Sequence, residues 1–154
     1  MARKMQYASM GSVSSGTMRT EDLIPAFLDE LEYHAKRNHR KDHLAEVKRI
    51  REASDAADYY ETDDAGWNLN ETLFDALNEY ALPYFYFGAH PGDGADYGFW
   101  LTDGFEYDFD GLKVSDTSEI PRGYTGEVLL VSDHGNMTLF NVVRGRKYEL
   151  WGIV

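Results

Sequence analysis

The spacing of apolar residues changes from a helical period to a strand period at Pro83, and this change most constrains the fold. Before Pro83, apolar residues recur at intervals of three and four in three segments. After it, apolar and aromatic residues alternate in short runs separated by turn formers. Helices followed by strands predict an α+β fold, with about three N-terminal helices packed on a C-terminal antiparallel sheet.

Three helices are predicted within residues 20–82. The first has Asp22 as its N-cap and Pro25 in its first turn, and it ends near Asn38. The second runs from about residue 41 to 57, and the third from 68 or 70 to 80. Their apolar stripes are Leu23, Phe27, Leu31 and Ala35, then Leu44, Val47, Ile50 and Ala57, and finally Leu69, Leu73, Leu77 and Tyr80.

The strands are predicted within residues 83–154. Runs at 84–87 and 97–101 flank a glycine-rich turn at 88–96, and a short strand at 112–114 interrupts an irregular acidic region. Residues 127–131, 137–143 and 147–154 alternate well and are separated by turns, so they predict a three-stranded antiparallel meander. Residues 58–67 are predicted to be a loop.

Length and composition bound the class of protein. The 154 residues predict one domain, 1–154, with two small subdomains as the alternative. Residues 1–17 are expected to form a flexible arm, within which residues 8–17 could instead be a poor edge strand. No apolar run is long enough to span a membrane, and no apolar region follows the basic N-terminus as in a signal peptide. The absence of cysteine excludes disulfides and thiolate metal sites. We expect a cytoplasmic protein without a cofactor or metal.

Residues 52–119 combine an unusual density of acidic and aromatic side chains. The stretch contains seventeen acidic residues and one basic residue, Lys113, whereas the whole chain has a net charge of −12. It also contains fifteen aromatic residues, so it can fold and hold its carboxylates in place. An ordered anionic surface attracts cationic partners and repels nucleic acid and anionic membranes.

Two acidic rows are the main candidates for a binding surface. On the third helix, Glu71, Asp75 and Glu79 are four residues apart, a rise of about 6 Å per step. On an extended segment, Glu106, Asp108 and Asp110 would share one face, with Tyr107 and Phe109 on the other. The remaining candidates are Asp93, Asp96, Trp100 and Asp103, and Tyr97, Trp100 and Tyr107 could stack on arginine.

Two loops invite a metal-binding interpretation. His90, Asp93 and Asp96 could serve acid–base chemistry or bind a metal, but the glycines around them favour a tight hairpin turn. Residues 106–111 place oxygen ligands at alternate positions before a glycine, as calcium loops do. Thr117 then occupies the twelfth position, where a bidentate carboxylate is needed, and this disfavours calcium.

Basic and histidine residues cluster near the junction of the first two helices. Because His34, His39 and His43 have Arg and Lys neighbours, we expect them to face solvent rather than bind a metal. His134, in a turn, is also expected to face water. Residues 36–51 hold seven Lys or Arg, which we interpret as neutralising the acidic half, within one chain or between two, so a homodimer is compatible with the pattern.

The charge pattern favours an inhibitor. No motif favours an enzyme, because the sequence contains no nucleophile elbow, phosphate-binding loop or cysteine nucleophile. We expect an acidic decoy whose carboxylates occupy the nucleic-acid groove of a basic protein. One alternative is an interaction module that binds a basic partner without such mimicry, through Trp67, Tyr84, Tyr86 and Trp100. Another is a small metal-dependent enzyme centred on the His90–Asp96 loop.

The chain resembles the small acidic inhibitors that bacterial viruses and mobile elements deploy against restriction or CRISPR systems. The resemblance lies in size, acidity, absence of cysteine and α+β layout. The stretch from Tyr84 through Tyr97-Gly98-Phe99-Trp100, with the terminal run Tyr148-Glu149-Leu150-Trp151, also looks like small proteins of phage and gut-bacterial genomes. It implies a DNA mimic acting in the bacterial host cytoplasm on a nucleic-acid-binding protein, with no direct contact to nucleic acid. It transfers no residue roles to this chain.

Overall fold

The structure is a computed structural model that describes residues 4–154. The start of the predicted arm and of the region considered for a signal peptide, residues 1–3, lies outside the described residues. The chain divides into two compact units, Met1–Asp103 and Gly104–Val154, and each is described by itself.

The helical part of the first unit spans residues 20–78. Its elements are α1 (Thr20–Arg37), α2 (Lys41–Ala53), a 3₁₀ turn (Tyr59–Glu61), α3 (Asp63–Trp67), a π-helical stretch (Asn68–Leu73) and α4 (Phe74–Asn78). Because α3, the π-helical stretch and α4 follow one another without a break, the third predicted helix begins five residues earlier than its earliest expected start, residue 68.

Several predicted helix boundaries are wrong. Asp22 lies inside α1 rather than at its N-cap, which is Arg19, and its carboxylate accepts a hydrogen bond of 2.6 Å from the Thr17 hydroxyl. The second helix ends at Ala53 instead of residue 57. The expected loop at 58–67 is largely helical, because Thr62 caps α3 by accepting a hydrogen bond from the Ala65 amide at 3.2 Å.

A three-stranded antiparallel sheet completes the first unit. Its strands β1 (Gly11–Ser14), β2 (Phe85–His90) and β3 (Asp93–Leu101) lie in the order β1-β3-β2. The turn between β2 and β3 is therefore shorter than the predicted 88–96. Within the N-terminal segment, residues 11–14 form an edge strand, the second of the two expectations for that region.

The helices pack on this sheet through aromatic contacts. The Phe27 ring of α1 meets Phe74, Phe87 and Tyr97 edge to face, with centroids 5.6, 4.9 and 5.7 Å away. The predicted stripe of the third helix is confirmed, since Leu69, Leu73, Leu77 and Tyr80 are all buried. The core of the unit therefore lies between α1, α4 and the sheet.

The second unit is built around a four-stranded mixed sheet. After α5 (Phe105–Asp108) come β4 (Leu112–Val114), a 3₁₀ turn (Thr117–Glu119), β5 (Gly126–Val131), β6 (Met137–Val143) and β7 (Arg146–Ile153), in the strand order β4-β5-β6-β7. The predicted meander is confirmed in β5, β6 and β7, and the short strand at 112–114 is confirmed as β4.

The expectation of a purely antiparallel sheet is wrong at β4, which runs parallel to β5. A long connection at residues 115–125 carries the chain back before β5 begins, as a parallel neighbour requires. The α+β class is confirmed, although the strands form two sheets. Among the described residues, no helix combines the length and apolar character needed to cross a membrane.

Candidate functional site

Basic side chains of α1 and α2 are neutralised mainly by acids of the same two helices. Arg51 binds Glu32 and Asp29 of α1, each at 2.8 Å, and so ties α2 to α1. The hydrogen bond from Arg51 to Glu32 lowers the pKa of Glu32. Arg49 binds Glu46 at 2.7 Å. Arg51 therefore joins the two helices, and these basic residues leave most carboxylates of residues 52–119 without an opposite charge.

We call residues 52–75 the acidic segment. It contains no Lys, Arg or His, and all its acidic side chains are exposed. Among the described residues, none of them takes part in an ion pair. The acidic side chains of the segment are Glu52, Asp55, Asp58, Glu61, Asp63, Asp64, Glu71 and Asp75.

Buried contacts hold the acidic segment in place. Tyr59 is buried, and its hydroxyl accepts a hydrogen bond of 2.8 Å from the amide of the buried Asn68. Arg49 of α2 donates to the side-chain Oδ1 of Asn68 at 3.1 Å, which links the segment to α2. Ala65 and Leu73 are fully buried in the core. The carboxylates therefore project from an anchored backbone rather than from a loose tail.

Trp67 is the most exposed aromatic side chain of the acidic segment, at 66 %. It lies at the end of α3, four residues after Asp63, three after Asp64 and four before Glu71. Residues three or four apart are neighbours on an α-helix surface, so the carboxylates of Asp63 and Asp64 lie beside the indole on α3, and Glu71 follows in the π-helical stretch. An aromatic face between carboxylates suits a guanidinium or ammonium group.

The predicted row of Glu71, Asp75 and Glu79 is only partly present. Glu71 and Asp75 are exposed, but Glu79 binds Arg40 at 3.1 Å and His43 at 2.9 Å. The π-helical stretch Asn68–Leu73 also changes the rotation per residue, so a four-residue spacing no longer gives a straight row. Glu79 therefore stabilises the fold, and the first two carboxylates remain available.

Two of the histidines are buried, so the expectation that they face solvent is wrong for His34 and His43. The hydroxyl of the fully buried Tyr80 is hydrogen-bonded to His43 Nδ1 at 2.6 Å, and His43 Nε2 lies 2.9 Å from the Glu79 carboxylate and 3.2 Å from the Arg40 guanidinium. Burial raises the pKa of Tyr80 to about 12. His39 and His134 are exposed, as predicted. His34 lies three residues after Leu31, and His43 lies four residues before Val47, so both occupy positions in an apolar stripe. This spacing is the signal that could have predicted their burial.

The β2–β3 hairpin uses its polar side chains locally. His90 Nδ1 accepts a hydrogen bond from the Gly92 amide at 2.9 Å, and Asp93 accepts one from the Ala95 amide at 3.0 Å. Asp96 accepts a hydrogen bond from the Ser12 hydroxyl at 2.5 Å, which links β3 to β1. These contacts are those of a hairpin turn.

The aromatic patch of the interaction-module alternative is divided in its exposure. Trp67 is largely exposed, whereas Trp100 and Tyr86 are half-buried and donate hydrogen bonds to backbone oxygens, to Gly88 at 3.0 Å and to Ala89 at 2.6 Å. Burial, and secondly the charge of the exposed Asp103, raise the pKa of Tyr86. Trp67 is therefore the better aromatic anchor.

The predicted second acidic row is wrong, because residues 105–108 form the helical turn α5 rather than an extended strand. Phe105 and Phe109 are buried one turn apart, and Tyr107 is 89 % exposed instead of lying beside Phe109. Glu106 and Asp108 point to different sides of the turn, since residues two apart do not face each other on a helix. Glu106, Asp108 and Asp110 are exposed but do not form one row.

Within residues 4–154, no group of three or more His, Asp or Glu side chains is arranged to hold a metal ion. Neither the His90–Asp96 loop nor residues 106–117 therefore assembles a metal centre. Comparisons with protein-family models, curated proteins and solved structures find no match to this chain.

Proposed function

We propose that this protein is a stoichiometric inhibitor that binds the cationic groove of a bacterial nucleic-acid-binding protein, with its carboxylates in place of phosphates. Its principal contact surface is the acidic segment. Among the side chains expected from the sequence, the surface retains Glu71 and Asp75, and it gains Asp63, Asp64 and Trp67.

The observation that supports this proposal is the acidic segment itself: it has eight exposed carboxylates and no basic residue. In the part of the chain that the structure describes, none of these eight carboxylates takes part in an ion pair. An anchored anionic surface does not need to be ordered on binding, so less conformational entropy is lost. Concentrated charge of one sign also accelerates encounter with a partner of opposite charge, and this advantage falls with ionic strength.

Trp67 adds a contact that phosphate alone does not offer. A guanidinium group that normally binds phosphate would pair with Asp64 or Glu71 and stack on the indole. Cation–π contacts contribute about 0.5–2 kcal/mol, depending on how far the pair is desolvated. Arginine, which is planar and weakly hydrated, suits this arrangement better than lysine. We therefore expect an arginine-rich groove in the target.

The experiment is capture of the target on the immobilised protein from a nuclease-treated bacterial lysate, followed by elution with added DNA or RNA. Three proteins are compared: the wild type, Glu71→Gln with Asp75→Asn, and Asp133→Asn with Glu149→Gln. Each pair of substitutions removes two exposed charges, but only the first lies in the acidic segment.

We expect the wild type and the Asp133/Glu149 variant to capture the same protein and to release it to nucleic acid. The Glu71/Asp75 variant should capture much less. Equal capture by all three would show that the acidic segment is not the contact surface. A partner that nucleic acid fails to displace would instead favour an interaction module without mimicry.

A further inference from the structure

A cavity of about 220 Å³ lies in the second unit, beside the turn that joins β6 to β7. Its apolar floor is formed by Ile120, Tyr124 and Val142, which also pack in the core of this unit. Arg122 and Lys147 line the same cavity. An apolar floor with two cations at its walls is unusual in a chain whose net charge is −12.

The register of the sheet explains why Lys147 belongs to this cavity. Lys147 pairs with Val142 across the β6–β7 ladder, so both side chains lie on the same face. Val142 is buried on that face with Val114 and Val128. Arg146 pairs with Val143 and therefore lies on the opposite face, where a separate cavity is lined by Val143, Arg144, Arg146 and Tyr148.

The two acids that precede Arg122 in the connection between β4 and β5, Asp116 and Glu119, are held by hydrogen bonds from nearby serines. Asp116 accepts a hydrogen bond from the Ser118 amide at 2.8 Å, which lowers its pKa. Glu119 accepts hydrogen bonds from the hydroxyl and the amide of Ser115, at 2.7 and 2.9 Å, and its pKa is lowered as well. Within the described part of the chain, Arg122 and Lys147 take part in no ion pair.

We propose that this cavity is a binding site for a small organic phosphate, with Arg122 and Lys147 on the phosphate and the Ile120–Tyr124–Val142 floor on its apolar body. Two cations match the double charge of a phosphate monoester near neutral pH. A planar guanidinium can bind two phosphate oxygens at once, and lysine adds a point charge. The site is separate from the acidic segment and goes beyond the proposed function.

The test uses the full ¹⁵N-labelled chain, titrated with phenyl phosphate, inorganic phosphate and benzyl alcohol. We expect saturable amide shifts confined to Arg122, Gly123, Gly145, Lys147 and their neighbours. Phenyl phosphate should bind more tightly than inorganic phosphate, and benzyl alcohol should be weakest. Arg122→Gln and Lys147→Gln should each weaken phenyl phosphate about tenfold, as the loss of a charged hydrogen bond does.

Arg144→Gln is the matched control. It removes one cation from the same hairpin end, but Arg144 lines the other cavity. It should leave the affinity for phenyl phosphate within about twofold of the wild type. The proposal is overturned if no saturable shift occurs, if Arg144→Gln weakens binding as much as Arg122→Gln, or if inorganic phosphate binds as well as phenyl phosphate. Since all three side chains are exposed, these variants should fold normally.

Discussion

Replacing Gly98 by alanine is expected to detach the edge strand β1 from β3. A Cβ atom at this position would lie 2.1 Å from the Gly11 carbonyl oxygen and 2.8 Å from the Ser12 Cα, both too close for atoms that are not bonded. Because the obstacle is backbone rather than a flexible side chain, β1 must move away from β3. Its pairing at Gly11, Ser12 and Ser14 would then be lost.

The cost of Gly98→Ala follows from these contacts. Overpacking costs about 1–3 kcal/mol, and each lost backbone hydrogen bond adds roughly 0.5–1.5 kcal/mol. We expect the free energy of unfolding to fall by about 3 kcal/mol. For a unit of about 100 residues, this corresponds to a Tm lower by roughly 12–24 °C.

Thermal unfolding measured by circular dichroism, with amide hydrogen exchange at Ser12 and Ser14, checks this expectation. Gly94→Ala is the control, since its Cβ would meet no heavy atom within 4 Å and its φ is not in the left-handed region. The control should keep the wild-type Tm within a few degrees. Wild-type Tm and intact protection of β1 in the Gly98 variant would refute the close approach of the two strands.

Three further substitutions test the packing of the first unit. Tyr80→Phe removes the hydroxyl that is hydrogen-bonded to His43 and should cost about 1 kcal/mol at neutral pH. Burial raises the pKa of Tyr80 from 10.0 to about 12, so its neutral phenol stabilises the fold below pH 10, and this effect is lost between pH 10 and 12. Across this range the free energy of unfolding measured in urea should therefore decline less in the variant than in the wild type. Asn38→Ala removes two hydrogen bonds to the Gln6 backbone and should cost roughly 1–3 kcal/mol in urea unfolding, whereas the exposed Asn70→Ala should change stability by less than about 0.5 kcal/mol. Phe27→Ala should cost about 3–5 kcal/mol in the same assay, because three aromatic contacts are lost, and a change below about 1 kcal/mol would contradict the packing described.

The elements with strong local chemistry could be predicted from the sequence. The meander was predicted to within one or two residues because alternating apolar residues and two turns, including Arg144-Gly145, determine where β5, β6 and β7 begin and end. The buried stripe from Leu69 to Tyr80 can be predicted because its apolar residues recur at helical spacing. Local pattern and tertiary packing agree in these segments.

Elements that depend on distant contacts could not be predicted. The parallel pairing of β4 with β5 depends on the path of the connection between them, which no local pattern indicates. The π-helical stretch Asn68–Leu73 replaces ordinary helix where Asn68 is held by Tyr59 and Arg49. Residues 106–110 alternate as a strand would, but burial of Phe105 and Phe109 one turn apart favours helix.

The candidate site could be predicted as a region but not residue by residue. Acidic composition alone indicated an anionic surface, and Glu71 and Asp75 lie on it. Glu79 has the same spacing, but its carboxylate is bound by Arg40 and His43, which are both more than thirty residues away in the sequence. Asp63 and Asp64 were missed because residues 58–67 were expected to be a loop.

The central claim is that the acidic segment occupies the nucleic-acid groove of its target. Competition measures this most directly: the captured partner, once purified, is mixed with fluorescent DNA or RNA and titrated with this protein at low and at high salt. We expect the protein to displace the nucleic acid completely and the displacement to weaken steeply with salt. The Glu71/Asp75 variant should be much weaker than the Asp133/Glu149 control. Simultaneous binding of both ligands to the partner would contradict this claim.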